Sequence, residues 1–225
     1  MTERVILVMD CGATNVRTVT VSDKGTIQAQ HSLPNKTSRD PFYKNYCIWD
    51  VHEIWSKLVK TTREVLNKVD KRQIAGVTVT TFGVDGAPLS EKGELLYPVI
   101  SWQCERTKPV MDNIDKYMHL NDIFSVTGLQ PYSFNTINKL IWFKENKPEI
   151  LESMHKFLFI PSIFIYFLTG EMVNDATMAG TSMLTELSSQ DYSKDIFDTI
   201  GVDPAKLCPL ARPGEIAGKV TGKAS

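Results

Sequence analysis

The chain has 225 residues, 42% hydrophobic and 23% charged, enough to bury a large core and near the upper limit for one domain, so one large domain is expected. Twenty-five basic and 26 acidic residues leave a formal net charge of -1, which gives no field to gather nucleic acid or an anionic membrane, and neither is expected as a partner. Cys11, Cys47, Cys104 and Cys208 are scattered without CxxC spacing, which argues against a zinc site or a disulfide framework and fits a reducing cytoplasm.

The opening MTERVILVMD carries charges around a short apolar run, too short for the apolar core of a signal peptide, and reads as a first strand over residues 5–9 ending at Asp10. Residues 16–21 and 26–30 are β-rich and parted by Ser22-Asp23-Lys24-Gly25, which predicts a hairpin. Asn35-Lys36-Thr37 matches a glycosylation sequon, but without a secretory signal the match reads as accidental. Asp50 and Glu53 have the spacing of a capping box, and Ile54, Trp55, Leu58, Val59, Val65, Leu66 and Val69 recur with helical period, so a long amphipathic helix follows. Residues 74–81 form a β-branched run ending in Phe82-Gly83-Val84-Asp85-Gly86, and residues 99–102 read as another strand.

The second half is predicted to be mostly helical: residues 135–146, a segment opened by Pro148, residues 162–168 closed by Gly170, and residues 191–200 closed by Gly201. The most apolar window, residues 157–168, is broken by Pro161 and Ser162; it falls well short of the ~20 residues a bilayer span requires and reads as buried core. Residues 212–225 read as a surface hairpin or a frayed terminus. Strands and helices alternate, which places the chain in the α/β class.

Asp10-Cys11-Gly12-Ala13-Thr14-Asn15-Val16-Arg17 lies between two predicted strands. A glycine there lets backbone amides approach an anion, with Thr14 and Asn15 adding donors. An aspartate at the end of an apolar strand suits a hydrated Mg²⁺ beside phosphates. The same eight residues also fit an ordinary tight turn, and taken alone they favour it. Gly214-Glu215-Ile216-Ala217-Gly218-Lys219-Val220 imitates a P-loop, but it has one residue too few between the glycines and Val220 where Ser or Thr is needed. Asp85, flanked by Gly83 and Gly86, again sits at a strand's carboxyl end, where α/β folds gather ligands. It could accept hydrogen bonds from sugar hydroxyls and line one cleft with Asp10, or simply cap a turn. Cys104 reads as small and buried rather than nucleophilic.

Residues 134–146, Phe-Asn-Thr-Ile-Asn-Lys-Leu-Ile-Trp-Phe-Lys-Glu-Asn, resemble the first signature of the FGGY carbohydrate kinases at each constrained position. VMDCGATNVR, VTTFGVDGA, LLYPVISWQCERTKPVMDNI and DATMAGTS extend the likeness along nearly the whole chain, most closely to the branch of the family that phosphorylates L-fuculose. Rhamnulose- and xylulose-phosphorylating branches are the nearest alternatives. A non-catalytic actin-like binding or filament protein is the alternative from another class.

The resemblance implies an actin-like, ribonuclease-H-like ATPase fold with a mixed sheet flanked by helices. It implies γ-phosphoryl transfer from MgATP to the primary hydroxyl of a ketose. Asp10 would then place Mg²⁺, Gly12, Ala13, Thr14 and Asn15 would hold phosphates, and Arg17 would offset charge during transfer. Gly83, Asp85, Phe134 and Asn135 would serve the sugar, and Lys139 and Trp142 would be architectural. Family members are roughly twice this length and carry an Asp as general base in a Gly-(His/Asp)-Asp motif that this sequence does not reach. The chain is therefore expected to be an N-terminal domain lacking its C-terminal nucleotide-binding partner, with negligible activity alone. None of His31, His52, His119 and His155 stands in a loop suited to replace that base.

Overall fold

The computed structural model describes residues 4–222. In chain order the strands and α-helices are β1 (Val5–Cys11), β2 (Asn15–Ser22), β3 (Ile27–Pro34), β4 (Ser38–Arg39), β5 (Cys47–Trp49), α1 (Val51–Leu66), β6 (Ile74–Thr81), β7 (Gly86–Leu89), β8 (Val99–Ile100) and α2 (Lys108–Asp112). They continue as α3 (Leu120–Thr127), α4 (Thr136–Asn146), α5 (Pro148–Ser153), β9 (Lys156–Phe159), α6 (Ile160–Thr169), β10 (Asn174–Asp175), α7 (Ala176–Ala179), α8 (Lys194–Ile200) and β11 (Leu210–Ala211). Within the one domain expected from length, the chain forms two compact units. The first is the chain up to Ser38 with Trp49–Phe82, and the second is Arg39–Ile48 with the chain from Gly83 onward.

The first unit is a mixed four-stranded sheet of order β3-β2-β1-β6. The three leading strands run antiparallel, and β6 joins β1 in parallel. The apolar run of β1 is covered on one face only: Val5, Leu7, Met9 and Cys11 are buried, while Ile6 is 40% exposed. Helix α1 is capped by Asp50, whose carboxylate accepts from the backbone N–H groups of His52 and Glu53. Glu53 turns its own carboxylate to Lys57 at 2.7 Å, so the interactions found for the expected box are one-sided. Val51, Ile54, Leu58, Thr61 and Val65 form the buried stripe of α1. Thr61 reaches across to Thr18 of β2 through a buried hydroxyl pair at 2.7 Å. The helix stops at Leu66, so Val69 lies beyond it.

In the second unit β7 and β9 pair antiparallel and β10 and β11 pair in parallel. The apolar window 157–168 splits into the end of β9 and most of α6. Pro161 lies in the first turn of α6, where its missing N–H costs nothing, so the helix starts earlier than Ser162. Gly170, at φ 80, ends it. The strand expected over residues 99–102 keeps only Val99–Ile100, because the next residues turn into a short 3₁₀ segment. After β11 the described residues to Thr221 and Gly222 form no regular element. Among the described residues no helix is long and apolar enough to cross a membrane.

Residues 39–48 are drawn into this unit by a buried ion pair. Arg106 Nη2 meets Asp40 Oδ2 at 2.6 Å, both side chains having no exposed surface. Tyr97 donates to the same carboxylate oxygen at 2.8 Å and accepts from Arg106 Nη1 at 3.1 Å. The guanidinium lies 4.5 Å from the centre of the Tyr46 ring and 4.9 Å from that of Trp142, a cation–π environment suited to a desolvated arginine. Burial alone would push the Asp40 carboxyl up, but hydrogen bonds from the Phe42 N–H, Tyr97 and Arg106 together hold it below its ordinary value.

A depressed carboxylate contributes stability in full above its unfolded value and loses it as pH falls through the folded one. Replacing Asp40→Asn should therefore cost about 3–5 kcal/mol near neutrality, because it leaves Arg106 buried without a counter-charge. The same change should flatten the loss of stability below about pH 4. Urea unfolding of both proteins between about pH 3 and about pH 7 checks this, and identical pH slopes would refute it.

Candidate active site

In the first unit the chain turns from β1 to β2 through Gly12, Ala13 and Thr14. The Gly12 N–H donates to the Asn15 carbonyl at 2.9 Å. A Cβ on Gly12 would sit 2.8 Å from that oxygen, so only glycine lets the turn close this tightly. The Asn15 side chain donates to Thr14 Oγ1 at 3.3 Å. Among the described residues the backbone N–H groups of Ala13 and Thr14 find no acceptor. Two successive amides left open beside a glycine are the chemistry of an anion cradle.

Asp10 and Arg17 are cross-strand partners in the β1–β2 ladder. Arg17 donates from Nε at 3.2 Å and from Nη2 at 2.7 Å, both to Asp10 Oδ2. Side-chain exposures of 47% and 27% make this pair an orienting device worth at most about 1 kcal/mol. Asp10 Oδ1 accepts nothing from the described residues. Among those residues no group of three or more His, Cys, Asp or Glu converges. Mg²⁺ beside phosphates takes only one or two protein carboxylates and keeps several waters, so Asp10 fits that role.

The second unit opens with Gly83-Val84-Asp85. The Asp85 N–H bonds back to the Gly83 carbonyl at 2.9 Å, and Val84 between them has φ 62. This is a three-residue turn with a β-branched residue in the left-handed region, a conformation that costs on the order of 1–3 kcal/mol and needs outside support. Helix α4 supplies it. Thr136 Oγ1 donates to the Val84 carbonyl at 2.7 Å and Lys139 Nζ to the same oxygen at 3.0 Å; three residues apart, they share one helix face. Thr181 Oγ1 accepts the Val84 N–H at 3.2 Å.

Lys139 Nζ also pairs with Asp85 Oδ1, and the Trp102 N–H donates to Asp85 Oδ2 at 3.0 Å. Burial lowers the Lys139 ammonium from its ordinary value, and the Asp85 charge opposes that shift. Asp85 has no exposed surface. Both of its oxygens are engaged, Oδ1 by Lys139 and Oδ2 by the Trp102 N–H.

Trp102 and Tyr132 are 37% and 52% exposed. Phe134 lies between them, stacked on Tyr132 with ring centres 5.0 Å apart and 12° between planes, and edge-on to Trp102 at 6.4 Å. Asn135 spends its carboxamide inside the protein, accepting from the Tyr132 N–H at 2.7 Å and donating to the Thr181 carbonyl at 2.9 Å. Those bonds tie the Tyr132 backbone and the Thr181 carbonyl to the start of α4. Sequence alone does not single out Trp102 and Tyr132 as exposed, since each residue type is as much at home in a core.

Of the expected residues, Asp10, Gly12, Ala13, Thr14, Asn15 and Arg17 come together in the first unit, and Gly83, Asp85, Phe134 and Asn135 belong to the second. A cavity of about 430 Å³ elsewhere in the second unit is lined by Thr127, Leu129, Thr177, Glu186, Leu187 and Arg212 among others, and none of the expected site residues borders it.

The profile of the FGGY family of carbohydrate kinases, N-terminal domain, matches residues 5–225. The L-fuculokinase of Haemophilus influenzae is 42% identical over 221 residues, covering 96% of this chain and 47% of that protein. The L-fuculokinase of Escherichia coli K12 is 41% identical over 226 residues, covering 100% and 48%. The chain thus spans about half the length of the curated relatives it matches. Among solved structures, a gluconate kinase from Lactobacillus acidophilus superposes with a TM-score of 0.90 at 22% identity, covering 99% of this chain and 45% of the other, which shows the shared fold. By profile and by identity alike, the chain belongs to the FGGY family of carbohydrate kinases and corresponds to their N-terminal domain.

Proposed function

We propose that the chain is the sugar- and phosphate-gripping domain of an ATP-dependent L-fuculokinase, which transfers the γ-phosphoryl group of MgATP to the primary hydroxyl of L-fuculose and yields L-fuculose 1-phosphate. The observation that carries the choice of sugar is the 41–42% identity to L-fuculokinases over nearly the whole chain. A C-terminal counterpart, equivalent to the relatives' remaining half, would complete the nucleotide site and bring the general base. Cys11, Cys47, Cys104 and Cys208 form no disulfide among the described residues, which suits a reducing cytoplasm.

Phosphoryl transfer leaves the protein mainly the tasks of positioning and charge stabilisation. In this reading the Ala13 and Thr14 amides grip phosphate oxygens, and Gly12 lets the anion approach. Asp10 holds a hydrated Mg²⁺, which when bound neutralises charge on the transferring oxygens. Arg17 orients Asp10 and adds positive charge nearby. Trp102, Tyr132 and Phe134 give the apolar face of a sugar a surface to lie on, and water leaves as it does so. Asp85 and Lys139 hold Trp102 in place from below. No histidine here supplies the base: His31 lies in β3, His52 in α1, His155 just before β9, and His119, 77% exposed, faces Asp115.

Phosphoryl transfer to L-fuculose, L-rhamnulose, D-xylulose and D-ribulose, measured on the full-length gene product and on this chain, tests the reading. L-Fuculose should give the highest kcat/KM in the longer protein, and this chain alone should show no turnover above background. A preference for another ketose would change the sugar; turnover by the short chain would place the base within it and sink the mechanism.

Replacing Lys139→Met should lower stability by about 3–5 kcal/mol, since it strands the Asp85 carboxylate in the interior. In the full-length protein it should raise KM for the sugar far more than KM for ATP. Urea unfolding and steady-state kinetics check the two parts, and equal effects on both substrates would argue against Lys139 acting through the sugar platform.

A further inference from the structure

Asn35 follows β3, and its backbone and side chain both hold the Gly12–Ala13–Thr14 turn from outside the turn itself. The residue is 8% exposed. Its backbone N–H donates to the Thr14 carbonyl at 2.8 Å, and its side-chain Nδ2 donates to the Gly12 carbonyl at 2.9 Å. On the other side, Asn35 Oδ1 accepts from Lys57 Nζ at 3.4 Å, and Lys57 is held by Glu53 at 2.7 Å, one turn earlier on α1. The carboxamide therefore has a donor and an acceptor partner that fix which way its amide faces.

A trans peptide is planar, so the carbonyl of Gly12 and the N–H of Ala13 point in opposite directions. Tying the Gly12 oxygen to Asn35 aims the Ala13 N–H away from Asn35, and that N–H is one of the two found without an acceptor among the described residues. We infer that Asn35 is a positioning residue for phosphate binding: it presets the Ala13 amide toward the anion before ligand arrives, with Lys57 locking the carboxamide in the donating orientation. Preset donors bind better because their ordering cost is met during folding rather than on association. Asn35 touches no ligand in this scheme. The sequon match at Asn35-Lys36-Thr37 falls on this residue, whose carboxamide is already engaged by Gly12 and Lys57.

The inference rests on the proposed kinase reading, and the experiment separates the two. Binding of a non-hydrolysable ATP analogue and steady-state KM values for ATP and sugar are measured on the full-length wild-type protein and on Asn35→Asp and Asn35→Ala. Asn35→Asp sets an oxygen against the Gly12 carbonyl in place of a donor, and Asn35→Ala removes the carboxamide without adding charge. Both should weaken analogue binding and raise KM for ATP about tenfold or more while leaving KM for the sugar within about twofold. A wild-type protein that binds no analogue would overturn the kinase reading itself. Wild-type binding with unchanged affinity in both variants would overturn the role of Asn35 and leave the kinase reading intact. Equal losses for ATP and sugar, or failure of both variants to fold, would make Asn35 a folding residue and also overturn it.

Discussion

The ammonium of Lys139 is 1% exposed and meets the carboxylate of Asp85 in the interior of the second unit. Removing two such ions from water costs several kcal/mol each, and the attraction between them recovers that only when the remaining donors and lone pairs are used. Here they are. Lys139 also donates to the Val84 carbonyl, and Asp85 also accepts from the Trp102 N–H. One pair thus fixes a strained turn, the start of α4 and the backbone beneath an exposed tryptophan. Thr136 and Thr181 complete the support of Val84, so the left-handed valine is held by contacts from segments far apart in sequence.

The pair formed by Asp40 and Arg106 follows the same logic with different surroundings. Its guanidinium is flanked by Tyr46 and Trp142 and hydrogen-bonded to Tyr97, so a planar, weakly hydrated cation is matched by aromatic faces. Lysine could not replace it there, since the bonds to Asp40, Tyr97 and Cys104 come from separate nitrogens of one rigid fork. Trp142 belongs to α4, as does Lys139. Helix α4 therefore serves two buried cations at once, Lys139 within its own sequence and Arg106 against the Trp142 indole.

Much of the secondary structure was legible because the pattern of side chains is local. Ile54, Leu58 and Val65 of the α1 core repeat at helical spacing, the first three strands are β-rich runs, and Gly170 and Gly201 end their helices in left-handed conformations. The site was less legible. Asp85 and Lys139 are 54 residues apart, and nothing in either neighbourhood marks them as partners. Asn35 lies 23 residues from Gly12 and looks like a turn residue or a sequon. The strand expected over 99–102 stops at Ile100, where the chain turns and the Trp102 N–H bonds to Asp85, and β-propensity carries no information on such a bond. Trp102 and Tyr132 would be read as core in any sequence; that they face solvent is a property of packing alone.

The hairpin that carries the Gly12–Thr14 turn bears on the order in which the first unit takes shape. β1, β2 and β3 follow one another through short connections, while β6 reaches β1 only after α1 has intervened. Closing a short loop costs less chain entropy than closing a long one, and local pairing outpaces non-local pairing in folding. The turn at Gly12 and the Asn35 bonds to Gly12 and Thr14 lie within these short closures, whereas the Lys57 contact that holds the Asn35 carboxamide waits for α1 to dock. The backbone of the turn is therefore encoded in the most local segment of the unit, and the longer-range packing of α1 fixes the side chain that braces it.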